Sequence, residues 1–187
     1  MNRLHNKKAL VIGGSTGIGR EVCRLFAQEG ADVAVGDHGR EKAGASLIAE
    51  LANSGRDVLQ CDVDVRSEEQ VKAVIDLAIA RFGHLDILVN NAGMSQVGTE
   101  DLGRPFAELS PEEWQAGIDQ NLNLTANVTR AALVDITQAV GGRIVFVTSV
   151  TGPVVTAPVS QASPMTLANS GSVEPYTVSP RIGNSEA

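Results

Sequence analysis

The chain has 187 residues, of which 43% are hydrophobic and 20% are charged, as is usual for one folded domain. Its formal net charge of -7 argues against a general affinity for nucleic acid or anionic membranes, because both require a basic surface. Its apolar runs are all much shorter than the roughly 20 residues of a membrane-spanning helix, so we expect a cytoplasmic protein with no nucleic-acid or membrane partner.

Short apolar runs alternate with helical patterns along the first 150 residues. The runs at residues 7–14, 32–37, 57–63, 85–93 and 141–149 are typical of buried strands, and helical spacing follows at 18–28, 40–53, after Ser67, and from Ser110 toward Val140. This alternation predicts an α/β fold with a Rossmann-type, doubly wound parallel sheet in the strand order 3-2-1-4-5. The binding crevice is then expected at the carboxyl ends of strands 1 and 4.

Two of the expected helices carry a start signal. Gln70 follows Ser67, and Glu113 follows Ser110, at the spacing of a capping box. Pro111 suits the first position of a helix. The two cysteines have no second ligand at metal spacing, so we expect buried thiols and no metal site.

A glycine-rich loop follows the first strand and reads Gly13-Gly14-Ser15-Thr16-Gly17-Ile18-Gly19. Gly13 supplies the backbone freedom that a tight turn requires, and Gly17 and Gly19 let the backbone approach a pyrophosphate. The N-terminus of the next helix offers free N–H groups and a partial positive charge to a phosphate. Strand, turn and helix in this order predict a dinucleotide site, and the alternative is a turn without a ligand.

Asp37 ends the second strand, 18 residues beyond Gly19. A carboxylate there accepts hydrogen bonds from the adenosine ribose hydroxyls and repels a 2′-phosphate, which favours NAD over NADP as the cofactor. His38 follows it directly, and Thr16 holds the loop position where a basic residue would meet that phosphate. The alternative is a solvated aspartate at the end of a strand.

Five stretches give the chain a resemblance to the short-chain dehydrogenase/reductase family. They are GGSTGIG at 13–19, Asp62 with Val63, NNAG at 90–93, EEWQAGIDQN at 112–121 and IVFVTSVTG at 144–152, in the family's order and spacing. One position departs, because Ile12 stands where the family usually has threonine. The resemblance runs from residue 7 to about 158 and implies a dinucleotide-binding Rossmann domain over residues 1–158.

The resemblance also implies roles for individual residues. The loop residues Gly13, Ser15, Thr16, Gly17, Ile18 and Gly19 would lie along the dinucleotide, Asp37 would hold the ribose, Asp62 and Val63 would border the adenine, and Asn91, Ala92 and Gly93 would line the path to the nicotinamide ribose. Asn121 would shape the long helix and hold a water of the proton relay, and Ser149 would bind the substrate oxygen. The implied reaction is hydride transfer between NAD, or less readily NADP, and a secondary alcohol or ketone. The helix after Ser110 would be the surface of a homo-oligomer.

The family's proton transfer needs a tyrosine about 13 or 14 residues after Ser149 and a lysine four residues later, one helical turn away. Ala162 and Ser163 hold the first of these positions, and Thr166 and Leu167 hold the second. The chain's one tyrosine is Tyr176, and its lysines are all far upstream. Three hypotheses remain: an NAD-dependent oxidoreductase, a catalytically inactive dinucleotide-binding or partner-binding remnant, and a product with no function of its own.

The composition also changes near residue 150. Three charged residues follow it, whereas five of the seven prolines do. We therefore expect an irregular or disordered tail over residues 159–187, without the family's last strands. The family pattern stops within a few residues of Pro158, which favours a reading-frame change or an alternative exon over gradual divergence. The fifth strand would then be an exposed edge of the sheet.

Overall fold

The computed structural model describes residues 2–93 and 110–148. Its strands are β1 (Lys8–Ile12), β2 (Asp32–Asp37), β3 (Val58–Asp62), β4 (Ile87–Asn90) and β5 (Arg143–Phe146). Its helices are α1 (Gly17–Gln28), α2 (Glu41–Leu51), α3 (Glu68–Phe82), α4 (Pro111–Ile118) and α5 (Leu124–Gln138), and a π-helical turn over Asp119–Asn123 joins α4 to α5. The domain boundary expected near residue 158, the tail and Tyr176 lie outside the described residues.

The strands form one parallel sheet in the order β3-β2-β1-β4-β5, which confirms the predicted fold. Helices α1 and α2 cover one face, where Val11 and Leu47 are buried. Helices α3 and α5 cover the other face, where Leu10 and Val128 are buried. Because successive side chains of a strand point to opposite faces, β1 is apolar from Ala9 to Ile12 and buried there on both sides.

Both cysteines are buried and unpaired, as the sequence predicts. Burial raises the pKa of Cys23 to about 12 and that of Cys61 to about 11, so both thiols stay protonated at neutral pH. Within residues 2–93 and 110–148, no group of side chains is arranged to hold a metal ion. No helix in the same ranges combines the length and the apolar character needed to cross a bilayer.

Strand β5 is the outermost strand of the described sheet and pairs with β4 alone. The apolar side chains of Val145 and Phe146 are 43% and 49% exposed. An open strand edge that carries apolar side chains is a template for unwanted pairing with other chains. Of the two edge strands among the described residues, β5 carries exposed large apolar side chains and β3 does not.

A buried carboxylate ties together the amino ends of β1 and β4. Asp86 is 3% exposed; its Oδ1 accepts a hydrogen bond from Lys7 Nζ at 2.8 Å, and its Oδ2 accepts one from the Lys8 backbone N–H at 2.9 Å. His84 Nε2 lies 3.0 Å from Oδ2, and Lys7 Nζ also donates to the Val140 carbonyl at 3.1 Å, just before β5. Burial alone would raise the pKa of Asp86, but the hydrogen bonds from Lys7 and Lys8 outweigh it and hold that pKa below its ordinary value.

The two predicted capping boxes differ. Ser110 Oγ accepts from the Glu113 N–H at 3.2 Å and Glu113 Oε2 accepts from the Ser110 N–H at 2.7 Å, so this box is complete. Ser67 Oγ accepts from the Gln70 N–H at 3.3 Å, which confirms half of the other box. The second half is wrong, because Gln70 Oε1 accepts from the Asp64 N–H at 2.9 Å instead.

We expect Ser110→Ala to lower the free energy of unfolding by about 1 kcal/mol, since it removes the acceptor for an N–H group in the first turn of α4. Ser110→Asp should stay within a few tenths of a kcal/mol of the parent protein, because aspartate caps helices as well as serine. Urea denaturation of the three proteins measures the differences. Equal losses in both variants would show that the cap does not stabilise α4.

Candidate functional site

A cleft of about 730 Å³ opens at the carboxyl ends of the strands, where the strand order reverses between β1 and β4. Gly13 and Thr16 line it from the loop after β1, and Asp37 lines it from the end of β2. Val63 contributes from the end of β3, and residues 91–93 contribute from the loop after β4. The fold therefore brings the predicted glycine loop, Asp37 and the NNAG segment to one cleft.

Gly13 forms the turn that leads out of β1. Its φ is +78°, and a Cβ at this position would lie 2.7 Å from the backbone nitrogen of Ala92. The Gly13 N–H donates to the Gly36 carbonyl at 2.7 Å, and Asn91 Nδ2 donates to the Gly13 carbonyl at 2.8 Å. Glycine alone fits here, because both the left-handed backbone and the contact with Ala92 exclude a side chain.

Ile12, which stands where the family usually has threonine, is the last residue of β1. Its carbonyl accepts hydrogen bonds from the N–H groups of Asn91 at 3.0 Å and Ala92 at 2.8 Å, and its side chain is buried. These two backbone bonds fasten the loop after β1 to the loop after β4. The chain therefore joins the two loops without a threonine hydroxyl at position 12.

The N-terminus of α1 has free space beside it. Thr16 is the N-cap residue, and its side chain makes no capping hydrogen bond. A Cβ on Gly17 would meet no atom within 4 Å, and Ile18 is 64% exposed. Ser15 is buried, as is Gly19, where a Cβ would run into the Gly13 carbonyl. The uncapped N–H groups and the open space suit a phosphate at this helix end.

The carboxylate of Asp37 is held by the backbone on both of its oxygens. Oδ2 accepts from the Ser15 N–H at 3.1 Å, and Oδ1 accepts from the His38 N–H at 3.0 Å. Each carboxylate oxygen has a further lone pair, so the group can still accept from a ribose hydroxyl. Asp62 stabilises the loop after β2, because its Oδ1 accepts a hydrogen bond from the Gly39 N–H at 3.2 Å.

Asn121 lies in the π-helical turn and approaches the loop after β4. A Cβ on Gly93 would lie 3.1 Å from Asn121 Oδ1. Asn121 Nδ2 donates to the Gly117 carbonyl at 2.9 Å, and the Asn121 carbonyl accepts from Thr125 Oγ1 at 2.9 Å. A π-helical turn adds a residue to a helix and is frequent at functional sites. Ser149, the other predicted catalytic residue, lies outside the described residues.

Sequence reasoning missed several charged residues on the cleft wall, among them Arg40, Asp64 and Arg66. Arg66 donates to both carboxylate oxygens of Asp64, with Nε to Oδ1 at 2.8 Å and Nη2 to Oδ2 at 2.6 Å. This hydrogen bonding lowers the pKa of Asp64 to about 2. A sequence signal did exist, because all three residues follow shortly after the carboxyl end of a strand that borders the crevice.

A buried asparagine at the end of β4 was also missed. Asn90 Nδ2 donates to Thr129 Oγ1 of α5 at 3.1 Å, which links the strand to the helix that covers it. Within the described residues, Asn90 Oδ1 is buried and has no hydrogen-bond partner. The first asparagine of the NNAG segment thus faces the protein interior, while the second holds the glycine loop.

Comparisons with known proteins agree with this geometry. A family model described as short chain dehydrogenase matches residues 7–163. The chain is 37% identical over 158 residues to Oxidoreductase UcpA of Salmonella typhimurium, and 36% identical over 150 residues to the 3-oxoacyl acyl-carrier-protein reductase FabG of Chlamydia muridarum. These matches cover 84% and 80% of this chain but 57% and 58% of the two relatives, so the chain spans less than two thirds of their length.

Solved structures that are similar to this chain also belong to short-chain dehydrogenases. A mutant short-chain dehydrogenase/reductase from Serratia marcescens has a TM-score of 0.79 at 27% identity, covering 90% of this chain and 65% of that one. A short chain dehydrogenase from Burkholderia cenocepacia, solved in complex with NADP, has a TM-score of 0.78 at 30% identity and covers 90% of this chain and 64% of that one.

Proposed function

This chain belongs to the short-chain dehydrogenase family, and from that premise we propose that its cleft binds NAD and serves hydride transfer between the nicotinamide and a small secondary alcohol or ketone. The observation that carries the proposal is the meeting of the Gly13 turn, the uncapped N-terminus of α1 and the fixed carboxylate of Asp37 at one cleft. A dinucleotide has a pyrophosphate and an adenosine ribose at matching places.

The residues of the cleft fit such a ligand along its length. The N-terminus of α1 would hold the pyrophosphate, in the open space beside Gly17. Asp37 would accept from the adenosine ribose, and the buried Val63 would border the adenine. Ala92 and Gly93 would lie on the path toward the nicotinamide, which supplies or accepts the hydride when bound. Asn121, beside Gly93, would hold a water at that end, and Ser149 would bind the substrate oxygen.

A second candidate function is dinucleotide binding without turnover. It is favoured by the side chains at the positions where the resemblance would place the family's tyrosine and lysine, since Ala162, Ser163, Thr166 and Leu167 are neither tyrosine nor lysine. A proton must still move to or from the substrate oxygen, and a general acid–base group accelerates such a transfer about 100-fold to 10,000-fold. In this candidate the Rossmann unit of residues 1–158 keeps its ligand site and lacks the proton-transfer step.

We also propose the helix after Ser110 as the surface of a homo-oligomer. Two apolar side chains of α5, Leu133 and Val134, are exposed among the described residues. Apolar side chains are concentrated in the cores of subunit interfaces, so their exposure on a helix supports this role.

One experiment separates the candidate functions. The purified 187-residue protein is titrated with NADH by fluorescence, and the reduction of NAD is followed with a panel of secondary alcohols. We expect one NADH per chain. Binding with turnover supports the oxidoreductase, and binding without turnover on every alcohol and on the matching ketones supports the second candidate. A folded protein that does not bind NADH would overturn both.

A further inference from the structure

A positively charged side chain of α1 bridges the glycine loop to α2. Arg20 Nη1 donates a hydrogen bond to the Ser15 carbonyl at 3.3 Å and another to the Ala43 carbonyl at 3.2 Å. Its Nη2 donates to Ser46 Oγ at 3.4 Å and to Glu50 Oε2 at 2.9 Å. The Arg20 side chain is 24% exposed, so most of it is covered. One guanidinium therefore ties the loop after β1 to the helix that follows β2.

Ser15 is consequently held at both of its backbone polar groups. Its N–H donates to Asp37 Oδ2 at 3.1 Å, and its carbonyl accepts from Arg20. Ser15 is 1% exposed and directly precedes Thr16, the N-cap residue of α1. The other hydrogen-bond partners of the Arg20 guanidinium lie on α2, which begins shortly after Asp37. Arg20 thus fixes the position of the N-terminus of α1 relative to Asp37.

We propose that Arg20 is a positioning residue of the cleft, which holds the N-terminus of α1 and the Asp37 carboxylate at the separation that one dinucleotide requires. This inference rests on the proposed function, in which the pyrophosphate lies at α1 and the adenosine ribose at Asp37. A site whose parts are fixed before binding does not have to be ordered by the ligand, so its affinity is higher. Arg20 already pairs with Glu50, so its effect comes from the bridging hydrogen bonds rather than from direct attraction of the phosphates.

The test is a fluorescence titration of the full chain with NADH, in which adenosine serves as a competing ligand. Arg20→Gln shortens the side chain and removes the guanidinium. We expect the affinity for NADH, which would contact both α1 and Asp37, to fall about tenfold. The affinity for adenosine, which would contact the Asp37 side alone, should change less than about twofold, because the His38 N–H still holds that carboxylate. A substitution that only destabilised the fold would not change the ratio of the two affinities.

Two further variants separate the bridge from the charge. Arg20→Lys keeps the positive charge, but its single terminal nitrogen cannot span the partners in the glycine loop and on α2, so we expect most of the loss in NADH affinity to remain. Arg24→Gln is the matched control, because Arg24 lies one turn further along α1, also pairs with Glu50, and makes its other ion pair in the described chain with Glu21. It should leave both affinities within about twofold of the parent protein.

Urea denaturation of each variant shows whether it is folded, and if Arg20→Gln is not, the ratio measured with Arg20→Lys decides in the same way. An Arg20→Gln protein that binds NADH as well as the parent, or that loses NADH and adenosine equally, would overturn the inference. An Arg20→Lys protein with the parent's affinity for NADH would overturn it too. In each of these cases NADH binding by the parent protein still supports the proposed function. If the parent binds no NADH, the proposed function fails and the inference fails with it.

Discussion

Gly13→Ala is expected to abolish dinucleotide binding, with the affinity for NADH falling at least about 100-fold. A Cβ at this φ of +78° strains the backbone, and it would also push against the nitrogen of Ala92, 2.7 Å away. Moving Ala92 breaks the contact between the loops after β1 and β4, which both line the cleft. Titration with NADH measures the loss, and circular dichroism shows whether the fold remains.

Gly55→Ala is the matched control for this substitution. Gly55 has a similar φ of +70°, but a Cβ there would meet no atom within 4 Å. It lies outside the cleft, between α2 and β3. We expect Gly55→Ala to cost about 1 to 2 kcal/mol in the free energy of unfolding and to leave the affinity for NADH unchanged. If Gly13→Ala behaved like this control, the close approach to Ala92 would not matter for the site.

Asp86→Asn should lower the free energy of unfolding by about 2 kcal/mol. The substitution removes the negative charge that Lys7 Nζ and His84 face. It also replaces one carboxylate oxygen, which accepts hydrogen bonds from these groups, by an NH₂ group, which can only donate them. This loss is smaller than the roughly 3 to 5 kcal/mol of a fully buried broken pair, because the Lys7 side chain is 35% exposed and water screens it. Asp76→Asn removes an exposed carboxylate that pairs with Lys72 and should cost less than about 0.5 kcal/mol.

The Asp86 contribution should also depend on pH in a defined direction. The folded protein holds the pKa of Asp86 below its ordinary value of 3.8, so the unfolded chain takes up this proton first as the pH falls. The stabilisation is fully present well above that ordinary value and is lost as the pH drops through the lowered pKa. Urea denaturation should therefore show the difference between the parent and Asp86→Asn shrinking below about pH 4. A difference that stays constant into strong acid would show that the charge of Asp86 does not stabilise the fold.

The sheet could be predicted from the sequence because its strands are short and the central strands β1, β2 and β4 are buried on both faces. The apolar run at 32–37 predicts β2 with its observed bounds, and the run at 57–63 predicts β3 to within one residue at each end. The run at 85–93 is longer than β4, because residues 91–93 turn away to form the cleft wall. The position of the cleft could also be predicted, because the spacing of the glycines and the ends of the strands can both be read from residues that are close together in the chain.

The rest depends on contacts between distant residues. The helical pattern from Ser110 runs without a visible break, yet a π-helical turn interrupts it where Asn121 meets Gly93. Asp86 looks like one more charged residue before a strand, and Lys7, 79 positions earlier, is what makes it a buried anchor.

The pairing of β1 with β4 sets the order in which the cleft can form during synthesis. Ala9 lies opposite Ile87 and Ile12 opposite Asn90, so three helices and two strands must leave the ribosome before β4 can dock. The first three strands can pair earlier, but Gly13 then still lacks the Asn91 amide that holds its carbonyl. A dinucleotide in the cell would therefore stabilise the nascent chain only at this late docking step, and the first half must fold without its help.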